Sequence, residues 1–241
     1  MFDDQYEVLL ADTDEARQIN YRLRYQVYCL DRRFEPPERF PDGMESDGHD
    51  DQAAHFIVRE RRTGEWRGAT RVILSAPEEL PMNQACQFLN NVRQMGAERI
   101  MEMSRLLITR PPTPPVPTLY DIKARVTDAE QQRGAGGSDS AILLGLIRAA
   151  QRYGLENQLS HMVFLTTPAL ARILRRLQLD LRQVGAPCEH RGLRAPFLLS
   201  LTDGFDQLAS QSEPMRSFFE SDFAYQSFSS RHRERRYALA S

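Results

Sequence analysis

Five prolines fall between Pro111 and Pro117. No central strand or helix absorbs such a run, because each proline lacks an amide donor and fixes φ. The chain must therefore fold from two blocks on either side of a long surface excursion, read here as 110–137. A loop of that length is uncommon and often carries function. With 241 residues, the two blocks together still make one large domain with extensions.

The block before the prolines opens with a short strand, Tyr6 to Leu10. Asp12 and Thr13 offer a helix N-cap, and Asp14 and Glu15 suit the positive end of the helix dipole. Ala16, Ile19, Leu23, Val27 and Leu30 then repeat by threes and fours, which predicts a helix ending near Asp31. Phe34 to Asp51 is an acidic loop rich in Pro and Gly. His55 to Glu60 and Arg67 to Leu74 read as an antiparallel hairpin turned at Thr63-Gly64. A helix is expected over Asn83 to Met95, then a strand over Ile100 to Thr109.

The second block begins with an apolar helix, Ser138 to Tyr153, closed by Gly154 as its left-handed cap. His161 to Thr166 is a strand. Thr167-Pro168 starts a helix over Ala169 to Leu177. Asp180 to Val184 and Pro196 to Leu201 are the last strands. Residues 203–241 read as a polar, partly helical extension to a domain spanning 1–202. The order predicts a mixed sheet covered by helices, α/β or α+β.

Composition excludes several function classes. The net charge of -2 and pI near 6.2 supply no positive field for coating nucleic acid. The acidic start, Met1-Phe2-Asp3-Asp4, is unlike a secretory signal. The best apolar run, Ala141 to Ile147, is far short of the ~20 residues that span a bilayer. Cys29, Cys86 and Cys188 are odd in number and widely spaced, which predicts neither a disulfide framework nor a zinc site. Buried thiols in a reducing cytoplasm are the expectation. His49, His55, His161, His190 and His232 are scattered, and no metal site is expected.

Charge patterning points elsewhere. Of the 31 basic side chains only Lys123 is a lysine; arginine suits bidentate grips on carboxylate or phosphate. Arg24, Asp47, Asp50, Arg71, Glu102 and Arg105 fall at the edges of predicted elements. They are expected to converge on one charged cleft, the competing reading being a scatter of surface ion pairs. Arg133, Gly134, Gly136 and Gly137 precede a helix, where exposed amides suit a phosphate, although a plain flexible loop has the same composition.

These pieces occur in a familiar order. Leu23-Arg24-Tyr25-Gln26-Val27-Tyr28, Phe34, Glu45-Ser46-Asp47-Gly48-His49-Asp50, Gly68-Ala69-Thr70-Arg71 and Glu102-Met103-Ser104-Arg105 resemble the acyl-homoserine-lactone (autoinducer) synthases and the N-acyl amino acid synthases. The fullest likeness is to the PEP-CTERM/exosortase system-associated acyltransferases. It adds the Phe40-Pro41-Asp42-Gly43-Met44 loop and His190-Arg191-Gly192-Leu193-Arg194-Ala195-Pro196, and it covers about residues 5–200.

The resemblance implies a GNAT acyltransferase fold with a splayed sheet between Ile100–Thr109 and His161–Thr166. It implies an enzyme that moves an acyl group from acyl carrier protein or coenzyme A to a small amine of amino-acid type, by direct attack and with no resident cofactor. Glu102 is the first choice of base, with Asp47 or Asp50 second. Arg71 and Arg105 fix those acids or grip a carboxylate, and Arg24 ties the first helix to the acidic loop. Tyr28, Phe34, Phe88 and Ser104 line the acceptor side. A β-bulge in the Glu102 strand is needed to bring Glu102 and Arg105 to one face. Arg172, Arg175 and Arg176, with Arg148 and Arg152, form an expected docking patch for the acidic carrier protein. An acetyl-CoA-dependent enzyme acting on small amines, and a catalytically silent acyl-binding module, are the alternatives.

Overall fold

The computed structural model describes residues 2–76, 79–86, 100–109 and 139–231. The expected excursion at 110–137, with Arg133, Gly134, Gly136 and Gly137, lies outside them, as do Phe88 and His232. Most of the helix expected over Asn83 to Met95 also falls outside; its described start, Pro81–Gln84, is a 3₁₀ turn.

The described elements are helix α1 (Phe2–Gln5), strand β1 (Tyr6–Leu10), helix α2 (Asp14–Arg24), β2 (Ala53–Glu60), β3 (Trp66–Leu74) and β4 (Ile100–Ile108). After the gap come helix α3 (139–156), β5 (His161–Thr166), α4 (Pro168–Arg176), β6 (Arg182–Gln183), β7 (Cys188–Glu189) and β8 (Leu193–Ser200). Helices α5 (Asp203–Ser210) and α6 (Glu213–Glu220) and strand β9 (Gln226–Ser227) follow. The strands form one nine-stranded mixed sheet in the order β6-β8-β5-β4-β3-β2-β1-β9, with β7 pairing on β8. Among the described strands only β4–β5 and β1–β9 are parallel.

Period-two alternation places a core on each side of this sheet. Tyr6, Val8, Phe56, Val58, Met101 and Met103 face one core with α3 and α4, whereas Leu9, Ile57 and Ala69 face another with Ala16 of α2 and Val27 just beyond it. Thr13 caps α2 by accepting the Ala16 amide at 3.2 Å. From Tyr25 to Asp31 the same helix continues with π-helical geometry, a rare form that is frequent at functional sites.

Three expectations are corrected. Gly154 does not close α3, which runs on to residue 156; the left-handed position is Gln158, at φ 59°. Gly154 is needed instead for close packing, since a Cβ there would sit 2.6 Å from Leu201 Cδ1 and 2.9 Å from Met101 Sδ. Second, the segment after residue 203 is no appendage as far as it is described. Phe205, Leu208, Phe218 and Phe219 enter the main core, and β9 extends the sheet beside β1. Its apolar residues are spaced by short polar runs, which masked the buried face.

Third, Cys86 and Cys188 are disulfide-bonded, their Cα atoms 5.7 Å apart, and only Cys29 is a free, buried thiol. A pairing across 102 residues is invisible to local spacing. Disulfides are rare in reducing cytosol, so the cysteines no longer argue for that compartment. Among the described residues no helix is long and apolar enough to cross a membrane.

Candidate active site

Strands β4 and β5 are joined over only three register pairs, the last being Glu102↔Val163. Beyond that pair β4 continues to Ile108 alongside β3, and β5 continues to Thr166 alongside β8. The sheet therefore opens as a V just after Glu102. Between Ala69↔Leu107 and Arg71↔Ser104, β4 carries one residue more than β3. The extra residue makes a β-bulge, with Arg105 in the left-handed region at φ 52°. In an unbroken strand Arg105 would face away from Glu102 and Ser104. With the bulge all three line one cavity.

That cavity measures about 410 Å³, within the ~300–1,000 Å³ range of small-molecule sites. Its polar wall comes from the 47–49 loop, β3, β4 and the 190–194 turn. Its apolar wall comes from α3, β5, α4 and the segment behind α4, with Ile147, Met162, Phe164, Leu174 and Leu181 among its residues.

A closed ring of six alternating charges braces the polar wall. Arg24 Nε meets Glu45 Oε2 at 2.5 Å, and Glu45 Oε1 meets Arg105 Nη2 at 3.1 Å. Arg105 Nη2 meets Asp47 Oδ2 at 2.7 Å, and Asp47 Oδ1 meets Arg71 Nη1 at 2.5 Å. Arg71 Nη1 also meets Asp50 Oδ1 at 2.7 Å, and Asp50 Oδ1 meets Arg24 Nη1 at 2.6 Å, which closes the ring. These are not surface pairs: Arg24, Arg71, Glu45 and Asp50 are all buried. Burial alone would raise Asp50, but the hydrogen bond from Arg24 and the charges of Arg24 and Arg71 hold it far below the usual carboxylate range. Asp47 is likewise pushed up by burial and pulled down further by Arg71 and Arg105.

Glu102 stands apart from the ring. It is buried, and its Oε2 accepts the Met82 amide at 2.8 Å. Burial pushes its carboxyl up to about 7, against the smaller opposing pulls of the Met82 amide and of Arg71 and Arg105. A carboxyl titrating near neutral pH in a cavity wall is suited to proton transfer.

Of the residues singled out in the sequence, Tyr28, Asp47, Arg71, Glu102, Ser104 and Arg105 line the cavity. Arg24 and Asp50 do not; they stand behind the wall as the far side of the ring. Phe34 does not line it either but packs on Tyr28, ring centroids 6.1 Å apart. Sequence reasoning missed Glu45 as a ring member, although it lies within the quoted acidic loop. It also missed the Met82 amide, which no side-chain pattern reveals. Arg191 and Arg194 enter the sequence reading only through a resemblance, and His190 otherwise only as one of the scattered histidines, yet all three line the cavity. Among the described residues, no group of His, Cys, Asp and Glu is arranged to hold a metal ion.

This splayed mixed sheet is the GNAT fold. Residues 23–111, which take in the ring residues and Glu102, match a family profile described as "Acetyltransferase (GNAT) domain". The chain superposes on the acyl-homoserine-lactone synthase LasI with a TM-score of 0.54 and 20% identity, covering 83% of this chain and 91% of that one. BjaI, a CoA-dependent acyl-homoserine lactone synthase whose structure holds SAM and isopentyl-CoA, gives 0.58 and 15%, covering 92% of each. FeeM, an N-acyl amino acid synthase from uncultured soil microbes, gives 0.50 and 13%, covering 86% and 94%. No curated protein sequence matches the chain.

Proposed function

We propose that the protein is an N-acyltransferase that moves a long-chain acyl group from an acyl thioester to the amine of an amino-acid-like small molecule. The observation that carries this reading is Glu102, raised to about 7, at the point where β4 and β5 part beside an apolar wall. The acyl chain lies along the apolar wall, a surface an acetyl group would leave unfilled. The thioester sits in the V. Glu102 takes a proton from the acceptor amine, the amine nitrogen bonds to the thioester carbonyl carbon, and the carbon–sulfur bond breaks, the leaving thiolate taking the proton back from Glu102 to depart as the thiol. The free thiol, Cys29, does not line the cavity, and the Ser104 hydroxyl that does accepts from Arg71 Nε at 3.2 Å, a cation and not a base, so the transfer is direct. Backbone amides along the opened edge of β4 face the thioester oxygen. Arg71 and Arg105 hold Asp47 and the acidic loop in place as the acceptor side of the cleft.

The likeness in fold to LasI, BjaI and FeeM supports this chemistry, and the donor is acyl carrier protein or coenzyme A. The resemblance carried by His190 to Pro196 supports a role beside a PEP-CTERM/exosortase system. Mass spectrometry of lipid extracts from cells with and without the protein tests the reading. An N-acyl amine that appears only with active protein is expected, and identical extracts would count against it.

A further inference from the structure

The polar wall of the cavity is almost fully neutralised. The ring pairs Arg24, Arg71 and Arg105 with Glu45, Asp47 and Asp50. Arg191 is paired with Glu35. Arg194 is left over. Its Nε donates to the His190 carbonyl at 2.8 Å, which fixes the guanidinium plane, and among the described residues it has no carboxylate partner. It is half-buried and lines the same cavity as Glu102.

The backbone aims Arg194 inward. Strands β7 and β8 form a hairpin with Cys188 opposite Arg194, and the turn between them places Arg191 at φ 53° and Gly192 at φ 94°. Glu189 accepts the Gly192 amide at 3.0 Å and closes the turn. The disulfide from Cys188 to Cys86 then ties this hairpin to the segment whose Met82 amide holds Glu102. The charge of Arg194 depresses both His190 and Arg191, after burial, and Arg105 acts on His190 as well, so these groups crowd one spot.

We infer that Arg194 is the anchor for the carboxylate of the amino-acid-like acceptor. This rests on the acyl-transfer reading and assigns the part of the cavity that reading leaves open. Once the acyl chain takes the apolar wall, two groups remain without partners of opposite charge: an arginine, and an acid that titrates near neutrality. A zwitterion with one amine and one carboxylate matches them. The amine goes to Glu102 and the carboxylate to Arg194, whose planar fork suits a bidentate grip. A phosphate of the donor is the other anion of comparable chemistry, and the two are separated by experiment.

The test is calorimetric binding of N-dodecanoylglycine and of its neutral amide, N-dodecanoylglycinamide, to the wild-type protein, Arg194→Gln and Arg194→Lys. Wild type should prefer the acid by about 10- to 100-fold, as expected for hydrogen bonds between charged groups. Arg194→Gln should lose that preference while keeping its affinity for the amide, and Arg194→Lys should retain part of it. Retained amide affinity also shows that the variant has folded. Equal binding of acid and amide by wild type, binding of neither, or a preference surviving in Arg194→Gln would each overturn the assignment. Dodecanoyl-CoA and dodecanoyl-pantetheine separate the two anion sources. If Arg194→Gln weakens only the phosphate-bearing thioester, the cation serves the donor and the inference fails. Binding is read without turnover, so absence of acyl transfer would count against the function and leave this result standing.

Discussion

Arg24 and Asp50 meet at 2.6 Å with neither side chain open to solvent, and together they join helix α2 to the end of the acidic loop. Ion pairs removed from water cost desolvation energy, and they survive only when every partner is present. Here each ring charge touches two opposite charges, so the ring behaves as one unit.

Asp50→Asn should therefore cost the fold more than a typical point substitution. It leaves Arg24 and Arg71 buried with one acid fewer, a loss of about 3–5 kcal/mol on the scale of broken buried pairs. Urea unfolding checks this. A loss below about 1 kcal/mol, the size of a surface pair, would mean the ring is not a structural unit.

Glu102 should set the pH dependence of both rate and stability. As a base it acts when ionised, so kcat/KM should rise with pH through about 7, and Glu102→Gln should lower turnover by about 10²–10⁴-fold and flatten the profile. Its pKa is raised on folding from 4.5, so the folded state holds the extra proton between 4.5 and about 7. Stability contributed by the protonated form is full below 4.5 and is lost as pH rises through about 7. Glu102→Gln should remove that loss, and denaturant titrations at acid and mildly alkaline pH report it. Unchanged turnover in this variant would move the base to Asp47 or to water.

The disulfide should matter to the site as well as to the fold. In the chain-entropy account, a loop of about 100 residues closed by a disulfide is worth about 4.7 kcal/mol. Cys86→Ser should lower the melting temperature. It should also weaken acceptor binding more than donor binding, because the hairpin carrying Arg194 is released. Non-reducing peptide mapping should recover the linked Cys86 and Cys188 peptides; finding both thiols free in the native protein would contradict the pairing.

The carrier-docking patch is smaller than the sequence implied. Arg148 is buried, pairs with Asp3 and stacks 3.8 Å from the Phe218 ring, and Arg152 reaches the Glu220 and Ser221 carbonyls. Arg172 and Arg176 remain exposed on α4, whose Leu170 and Leu174 line the cavity. Reversing both to Glu should raise KM for an acyl carrier protein donor, more so at low salt, and spare acyl-CoA. Equal loss with both donors, or none with either, would remove the steering role.

Much of this was legible in the sequence because the signals are local. Thr13 and Thr167 cap their helices, and β1 to β5 fall where the sequence reads strands. The positions of Arg24, Asp47, Asp50, Arg71, Glu102 and Arg105 announced a charged cluster. What stayed hidden depends on tertiary contact. The Cys86–Cys188 pairing joins segments far apart in sequence, and Gly154 resembles a cap until α3 is packed against Met101. Phe34 and Tyr28 are both aromatic near the cleft, yet only the folded chain shows which one faces it. The role proposed for Arg194 comes into view only once the ring charges and Arg191 have been matched with their partners.

The most direct test of the central claim is product analysis with purified protein, a dodecanoyl thioester and a mixture of free amino acids. The account predicts an N-dodecanoyl amino acid formed together with an equal amount of free thiol, and almost none of either with Glu102→Gln. Free thiol without an N-acyl product, or an N-acyl product formed equally well by Glu102→Gln, would contradict it.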